Sequence, residues 1–134
     1  MTDQEALREQ LKAMIEKSKR SLRAAEEHHA RGDADFASSK AYYAVFHLMQ
    51  AALLTIGKTY SKHAGVISGF SEHFVKIGVF PATFGEAIQR LRRDREVGDY
   101  GYQLSLTSEE AARDVKSAGE IINFLLKYLQ PFVS

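Results

Sequence analysis

From Phe36 to Ile56 the chain reads FASSKAYYAVFHLMQAALLTI, and wound as a helix at about 100° per residue this stretch is apolar nearly all the way round. Such a helix has to be enclosed by others. One side is small, with Ala37, Ala41, Ala44, Ala51 and Ala52, and lets a neighbouring backbone come close. The opposite side is large, where Tyr42, Phe46, Met49 and Leu53 supply core volume. Between them runs a narrow polar seam of Ser39, Lys40, Tyr43, His47 and Gln50. A seam of that kind is either a subunit or ligand surface or a set of satisfied core polar groups.

The flanking segments have helical periodicity too. A first helix is expected from about Asp3 to Ala30, with Thr2 and Glu5 spaced as a capping box and Leu7, Leu11, Met14, Ile15, Leu22 and Ala25 on one stripe. Gly32 suits the left-handed position that ends it, and Asp33 is placed to cap the next helix. A third helix is expected from about Ala64 to Ile77, with Val66, Ile67, Phe70, Phe74 and Ile77 facing inward, before Gly78 stops it. Pro81 fits the first turn of a fourth, whose inner stripe is Phe84, Ala87, Ile88 and Leu91. The stretch Gly98–Ser105 reads as a loop, and a last helix starts at a Thr107–Glu110 capping box and ends near Pro131. The pattern predicts an all-α, up-and-down bundle of about five helices in one domain spanning 1–134.

Composition narrows the class. With no cysteine the chain has no disulfide framework, and no apolar run reaches the length of a membrane span. A cytoplasmic protein is expected, without a membrane partner. Lys+Arg 18 against Asp+Glu 17 leaves a formal charge of +1, so any basic surface has to be local.

The fourth helix carries the main chemical anomaly. With Phe84 at zero on the wheel, Ile88 falls at about 40°, Leu91 at about 340°, Arg95 at about 20° and Asp99 at about 60°. An arginine and an aspartate, spaced i, i+4, thus extend the apolar stripe. Inward charges must be paired, which gives two readings: a phosphate or oxyanion site in which Asp99 orients Arg95, or a structural ion pair at a helix end. The run RLRRDRE around them is nearly neutralised by its acids and reads as a solvated face. His47 lies one turn after Tyr43 and close in angle to Lys40, a spacing that allows a Tyr43–His47 hydrogen bond, although a histidine packed beside the core is the more common outcome. Ser61 or His63 is placed to cap the third helix, and Lys62 and His63 at its start suit an anion. Glu26 and His29 have the spacing of a di-iron ligand pair but no second copy, so no metal and no cofactor is expected.

The segments SKAYYAVFHLMQAALLTIG, YSKHAGVISGFSEHFVKIGVFP and LRRDREVGDYGY, in that order, closely resemble the small prokaryotic HEPN-domain proteins over about residues 5 to 130. The resemblance implies a helical bundle, usually a homodimer, with the seam and the fourth helix near the dimer interface. Many HEPN proteins are metal-independent ribonucleases with an arginine followed after four to six residues by a histidine. Arg95 matches the arginine, but no histidine occurs after His73. Other HEPN domains pair with a minimal nucleotidyltransferase in toxin–antitoxin-like modules, which needs no such histidine. The resemblance therefore implies a binding module, with Arg95, Asp99, Lys62, His63, Lys40, Tyr43 and His47 as candidate contacts for nucleotide or RNA phosphate. Two alternatives remain: an endoribonuclease that recruits His47, His63 or Tyr100 as acid–base, and a purely structural dimer.

Overall fold

A computed structural model describes residues 2–103 and 105–134. Five α-helices and no strand occur among them: α1 (Asp3–Ala30), α2 (Ala34–Leu54), α3 (His63–Phe70), α4 (Ala82–Tyr100) and α5 (Ser108–Val133), with a π-helical turn at Ser71–Val75 after α3. This is the expected all-α bundle. No described helix is long and apolar enough to cross a membrane.

The all-round apolar helix is α2, and it packs against α1, α3, α4 and α5. Its small side receives α1 closely enough for two serines to reach its backbone. Ser18 Oγ donates to the Ala44 carbonyl at 2.7 Å, and Ser21 Oγ donates to the Lys40 carbonyl at 2.8 Å. As the α1 number falls by three the α2 number rises by four, which fixes the pair as antiparallel. Gly32, at φ 80°, makes the turn between them. Asp33 takes the cap position, but its side chain makes no cap bond. Its carboxylate lies instead 3.6 Å from His28 Nδ1.

Three further expectations are corrected. The third helix stops at Phe70 and continues as the π turn, whose wider winding breaks the 3.6-residue register. Phe74 stays buried, while Ile77, expected inside, is 68% exposed. Neither Ser61 nor His63 caps α3: Lys62 occupies that position, with no side-chain cap bond. The loop expected from Gly98 begins later, because α4 runs on to Tyr100; Leu104, inside the expected loop, lies outside the described residues. A Cβ on Gly98 would lie 2.5 Å from the Asp35 carbonyl oxygen. The helix continues there because glycine lets α4 cross the first turn of α2 in contact. At the other end of the chain the Thr107–Glu110 capping box forms as expected, and α5 passes Pro131 to end at Val133.

A buried polar link, not anticipated from the sequence, ties α4 and α5 to α2. Asp114 is fully buried and accepts from Ser38 Oγ at 2.8 Å and from Arg90 Nε at 3.3 Å. Arg90 also bonds Ser117 Oγ. The Asp94 carboxyl lies beside that of Asp114, and its Oδ2 is buried with no hydrogen-bond partner among the described residues. Burial first, then the neighbouring Asp94, pushes Asp114 up to about 7. An unfolded aspartate ionises near 3.8. The folded chain therefore binds the extra proton between those values and loses stability as pH rises from about 4 to 7.

Two outcomes follow. Asp94→Asn supplies a permanent donor to Asp114 and flattens the loss of stability between about pH 4 and pH 7, a loss of roughly a few kcal/mol by linkage; melting temperatures that fall equally with pH in variant and parent would refute the part of Asp94 in raising Asp114. Gly98→Ala destabilises by about 1–3 kcal/mol through overpacking, whereas Gly119→Ala, with nothing within 4 Å of the added carbon, stabilises by up to about 1 kcal/mol. Denaturant midpoints separate the two.

Candidate functional site

Three helices bring polar groups to one end of the α2 seam. Tyr42 and Tyr43 come from α2, His63 from the first residue of α3, and Arg95, Asp99 and Tyr100 from the last turns of α4. Tyr42 is 1% exposed, and its ring stacks on Phe46 and on His63. The Tyr42 hydroxyl makes a 2.9 Å hydrogen bond with His63 Nδ1. The His63 ring lies on Phe46 with centroids 4.1 Å apart, so its plane is held by packing as well as by that bond.

Arg95 closes the group from the α4 side. It is only 9% exposed, and its guanidinium carbon lies 5.0 Å from the Tyr42 ring centre, 5.7 Å from Tyr43 and 6.0 Å from Tyr100. Aromatic faces offer a cation electrostatic compensation without neutralising it. Arg95 Nη1 lies 3.6 Å from Asp99 Oδ2. The Nε–H is buried and has no hydrogen-bond partner among the described residues. The site thus contains a desolvated cation with an unused donor.

The electrostatics sort the titrating groups. Burial, and then the charges of Arg95 and Arg92, push His63 below the ordinary histidine value, so it is neutral near pH 7. Burial likewise lowers His47, assisted by Lys17 and His63. Burial raises Tyr42, with Arg95 pulling the other way, so the phenol stays protonated. For Arg95 itself burial disfavours the charge, but Tyr43, Tyr42, Asp99 and Tyr100 outweigh it.

Of the residues singled out from sequence, the structure gathers Arg95, Asp99, Tyr43 and His63 in this group. Lys40, Tyr43 and His47 line an adjoining open groove of about 300 Å³ with Lys17, Arg20 and Ser21 of α1. Tyr43 belongs to both. Lys62 is exposed at the start of α3 and forms no hydrogen bond or ion pair with its side chain among the described residues. Of the two readings of His47, the Tyr43–His47 hydrogen bond is not formed, and the two ring centres lie 6.4 Å apart. The phenol that does reach a histidine is that of Tyr42, which periodicity assigns to core volume alone. Its ring fills the core while its hydroxyl reaches the edge, a double role that a helical wheel does not separate. Near the end of α1, His29 Nε2 lies 3.2 Å from the Ser108 carbonyl, and no three His, Asp or Glu side chains converge as a metal site among the described residues.

Comparison with known proteins agrees with this architecture. The model of the HEPN domain matches residues 11–128. A Methanocaldococcus jannaschii protein named "Putative toxin MJ0142" is 32% identical over 90% of this chain and 82% of its own length. A second protein of that organism, named "Putative toxin MJ0605", is 34% identical over 92% of both chains. A UPF0332 protein of Thermotoga maritima is 31% identical over 70% of this chain and 71% of its own. Among solved structures, that of TT1696 from Thermus thermophilus superposes with a TM-score of 0.74 at 18% identity, covering 87% of this chain and 96% of the other; it shares the fold. A domain match across most of the bundle, with relatives above 30% identity over 71% to 92% of their own length, places this chain in the HEPN-domain family.

Proposed function

We propose that this protein is the HEPN component of a toxin–antitoxin-like pair and that its Arg95 site binds a phosphate of RNA. The observation that carries the reading is the state of Arg95. A desolvated guanidinium with a free buried Nε–H, held on three tyrosine rings, is suited to an incoming oxyanion in both charge and geometry. Asp99 orients it, and the rings of Tyr43 and exposed Tyr100 offer faces for a base. The names of two relatives propose a toxin role for them, and this supports the module type. The proposal includes a homodimer and a minimal nucleotidyltransferase as the second member of the pair, as the family resemblance implies.

A second reading, metal-independent RNA cleavage, is favoured by one specific contact. The sequence lacks a histidine just after Arg95, yet the fold places His63 against Tyr42, whose ring underlies Arg95. In the tautomer that donates Nδ1–H to the Tyr42 oxygen, Nε2 is left as a proton acceptor on a histidine that is neutral near pH 7. Such a base takes the proton of a ribose 2′-hydroxyl. The 2′-oxygen then bonds to phosphorus, the bond from phosphorus to the 5′-oxygen breaks, that oxygen takes up a proton from water, and a guanidinium at the position of Arg95 stabilises the added charge.

One set of assays tests both readings. A labelled single-stranded RNA is titrated with the protein in EDTA, with dimerisation followed by sedimentation and the melting temperature recorded for each variant. Arg95→Ala is expected to weaken binding at least tenfold, about 1.4 kcal/mol, and Arg95→Lys to recover only part of it, because an ammonium lacks the planar fork. RNA that fails to bind the parent protein, or binds Arg95→Ala equally, refutes the phosphate site. For the second reading, cleavage is expected to vanish in His63→Ala while binding persists, with the acidic inflection of the parent's rate profile below the ordinary histidine value of 6.5. Intact RNA in all samples leaves the binding module alone.

A further inference from the structure

The groove beside Tyr43 has a charge pattern that the Arg95 site does not use. Because α1 and α2 run antiparallel with Ser21 opposite Lys40 and Ser18 opposite Ala44, Arg20 falls beside Lys40 and Tyr43, and Lys17 falls towards His47. All of these line one groove, and Lys17 is close enough to His47 to depress its protonation. Lys17, Arg20 and Lys40 are exposed. Among the described residues none of them has a carboxylate within 4 Å. No acidic residue lines the groove. In a chain with 17 acids against 18 bases, a groove lined by three cations and no acid is a local basic surface, not a consequence of net charge.

The strip is continuous with the Arg95 site through aromatic rings. Tyr43 lines the groove, lies 5.7 Å from the Arg95 guanidinium and meets the His63 ring edge-on at 6.0 Å. Along α2 the distance from Lys40 to His47 is about 10 Å at 1.5 Å per residue. We propose that the groove between α1 and α2 is a second phosphate subsite, formed by Lys17, Arg20 and Lys40, which extends the Arg95 site into a track for single-stranded RNA, with Tyr43 as the stacking platform between the two. The inference rests on the Arg95 phosphate reading and names the form of its ligand: a strand of several nucleotides, not a mononucleotide. Interleaved rings and unpaired cations favour a nucleic-acid strand over an acidic protein segment, which would use the cations but leave the faces of Tyr43 and His47 unmatched.

The test compares two fluorescent oligouridylates, one of two nucleotides and one of about ten, by anisotropy at about 50 to 200 mM salt. The triple variant Lys17→Ala, Arg20→Ala, Lys40→Ala is set against a control that removes three exposed lysines outside the groove, Lys58→Ala, Lys76→Ala, Lys127→Ala. Melting temperatures verify that both fold. The expected result is a loss of about ten- to a hundredfold for the long strand in the groove variant only, with the salt slope reduced by about 0.7 for each phosphate no longer neutralised. The two-nucleotide ligand is expected to bind the groove variant like the parent. An unchanged long-strand affinity, an equal loss for both ligands, or an equal loss in the control variant overturns the track. Equal displacement of the long strand by polyglutamate overturns it in favour of an acidic protein partner. Failure of the underlying reading is distinct: Arg95→Ala would then leave both ligands unaffected while the groove variant still weakened the long one.

Discussion

A helix that is apolar on every side has to be surrounded, and this requirement on α2 organises the molecule. Its buried face is continuous from Ala37 to Leu53, with Tyr42, Leu48, Met49 and Leu53 at 0–1% exposure, and each such side chain contributes about 1.5–3 kcal/mol when removed from water. Covering it takes α1 on the small side, with α4 and α5 on the others. The small side does more than permit contact. Ser18 and Ser21 satisfy themselves on α2 carbonyls, so hydroxyls that would otherwise be a burden in a core set the relative position of the two helices.

The polar seam of α2 acquires its chemistry from what covers its ends. At one end the start of α3 and the last turns of α4 arrive together, and His63 and Arg95 meet the tyrosines there. The approach of α4 is controlled at two places. Gly98 gives contact with the Asp35 backbone, while Arg90 links α4 through Asp114 and Ser38 to α5 and α2, with Asp94 beside that link. Asp94 and Arg95 are adjacent in the chain and both buried. The acid beside Asp114 and the guanidinium of the site therefore share one turn of helix.

The helices themselves are legible in the sequence because an amphipathic or all-apolar pattern repeats over many residues, and long repeats average out local exceptions. The inward turn of Arg95 and its i, i+4 partner Asp99 is legible for the same reason. What is not legible depends on single-residue geometry. A π turn after Phe70 has no periodic signature of its own, so periodicity puts Ile77 inside when it lies outside. Gly98 looks like a loop residue in sequence, and only the position of Asp35, more than sixty residues away, makes it a helical one. The Asp94–Asp114 contact joins two helices at a separation that no wheel relates. Periodicity puts Tyr42 in the core, where it is, yet its hydroxyl is the atom that contacts His63, and a wheel records the direction of a side chain but not the reach of its tip.

The use of arginine at position 95 follows from these surroundings. A buried carboxylate alone would compensate the cation but would also use its in-plane donors. At 3.6 Å, Asp99 does this only in part, and the tyrosine faces supply the rest through ring quadrupoles that do not occupy the guanidinium's in-plane donors. Arginine tolerates that arrangement because its charge is delocalised and weakly hydrated, and does not titrate near neutral pH. A lysine in the same place would lose more hydration and present a single point of charge. The same rings depend on the cation in return: with Arg95 over its face, the phenol of Tyr42 bonds to a histidine that Arg95 helps to keep neutral. Cation, phenol and imidazole are thus coupled through packing rather than through a run of adjacent residues, which is how a chain without the arginine–histidine spacing of the ribonuclease HEPN proteins still brings those two side chains to one tyrosine.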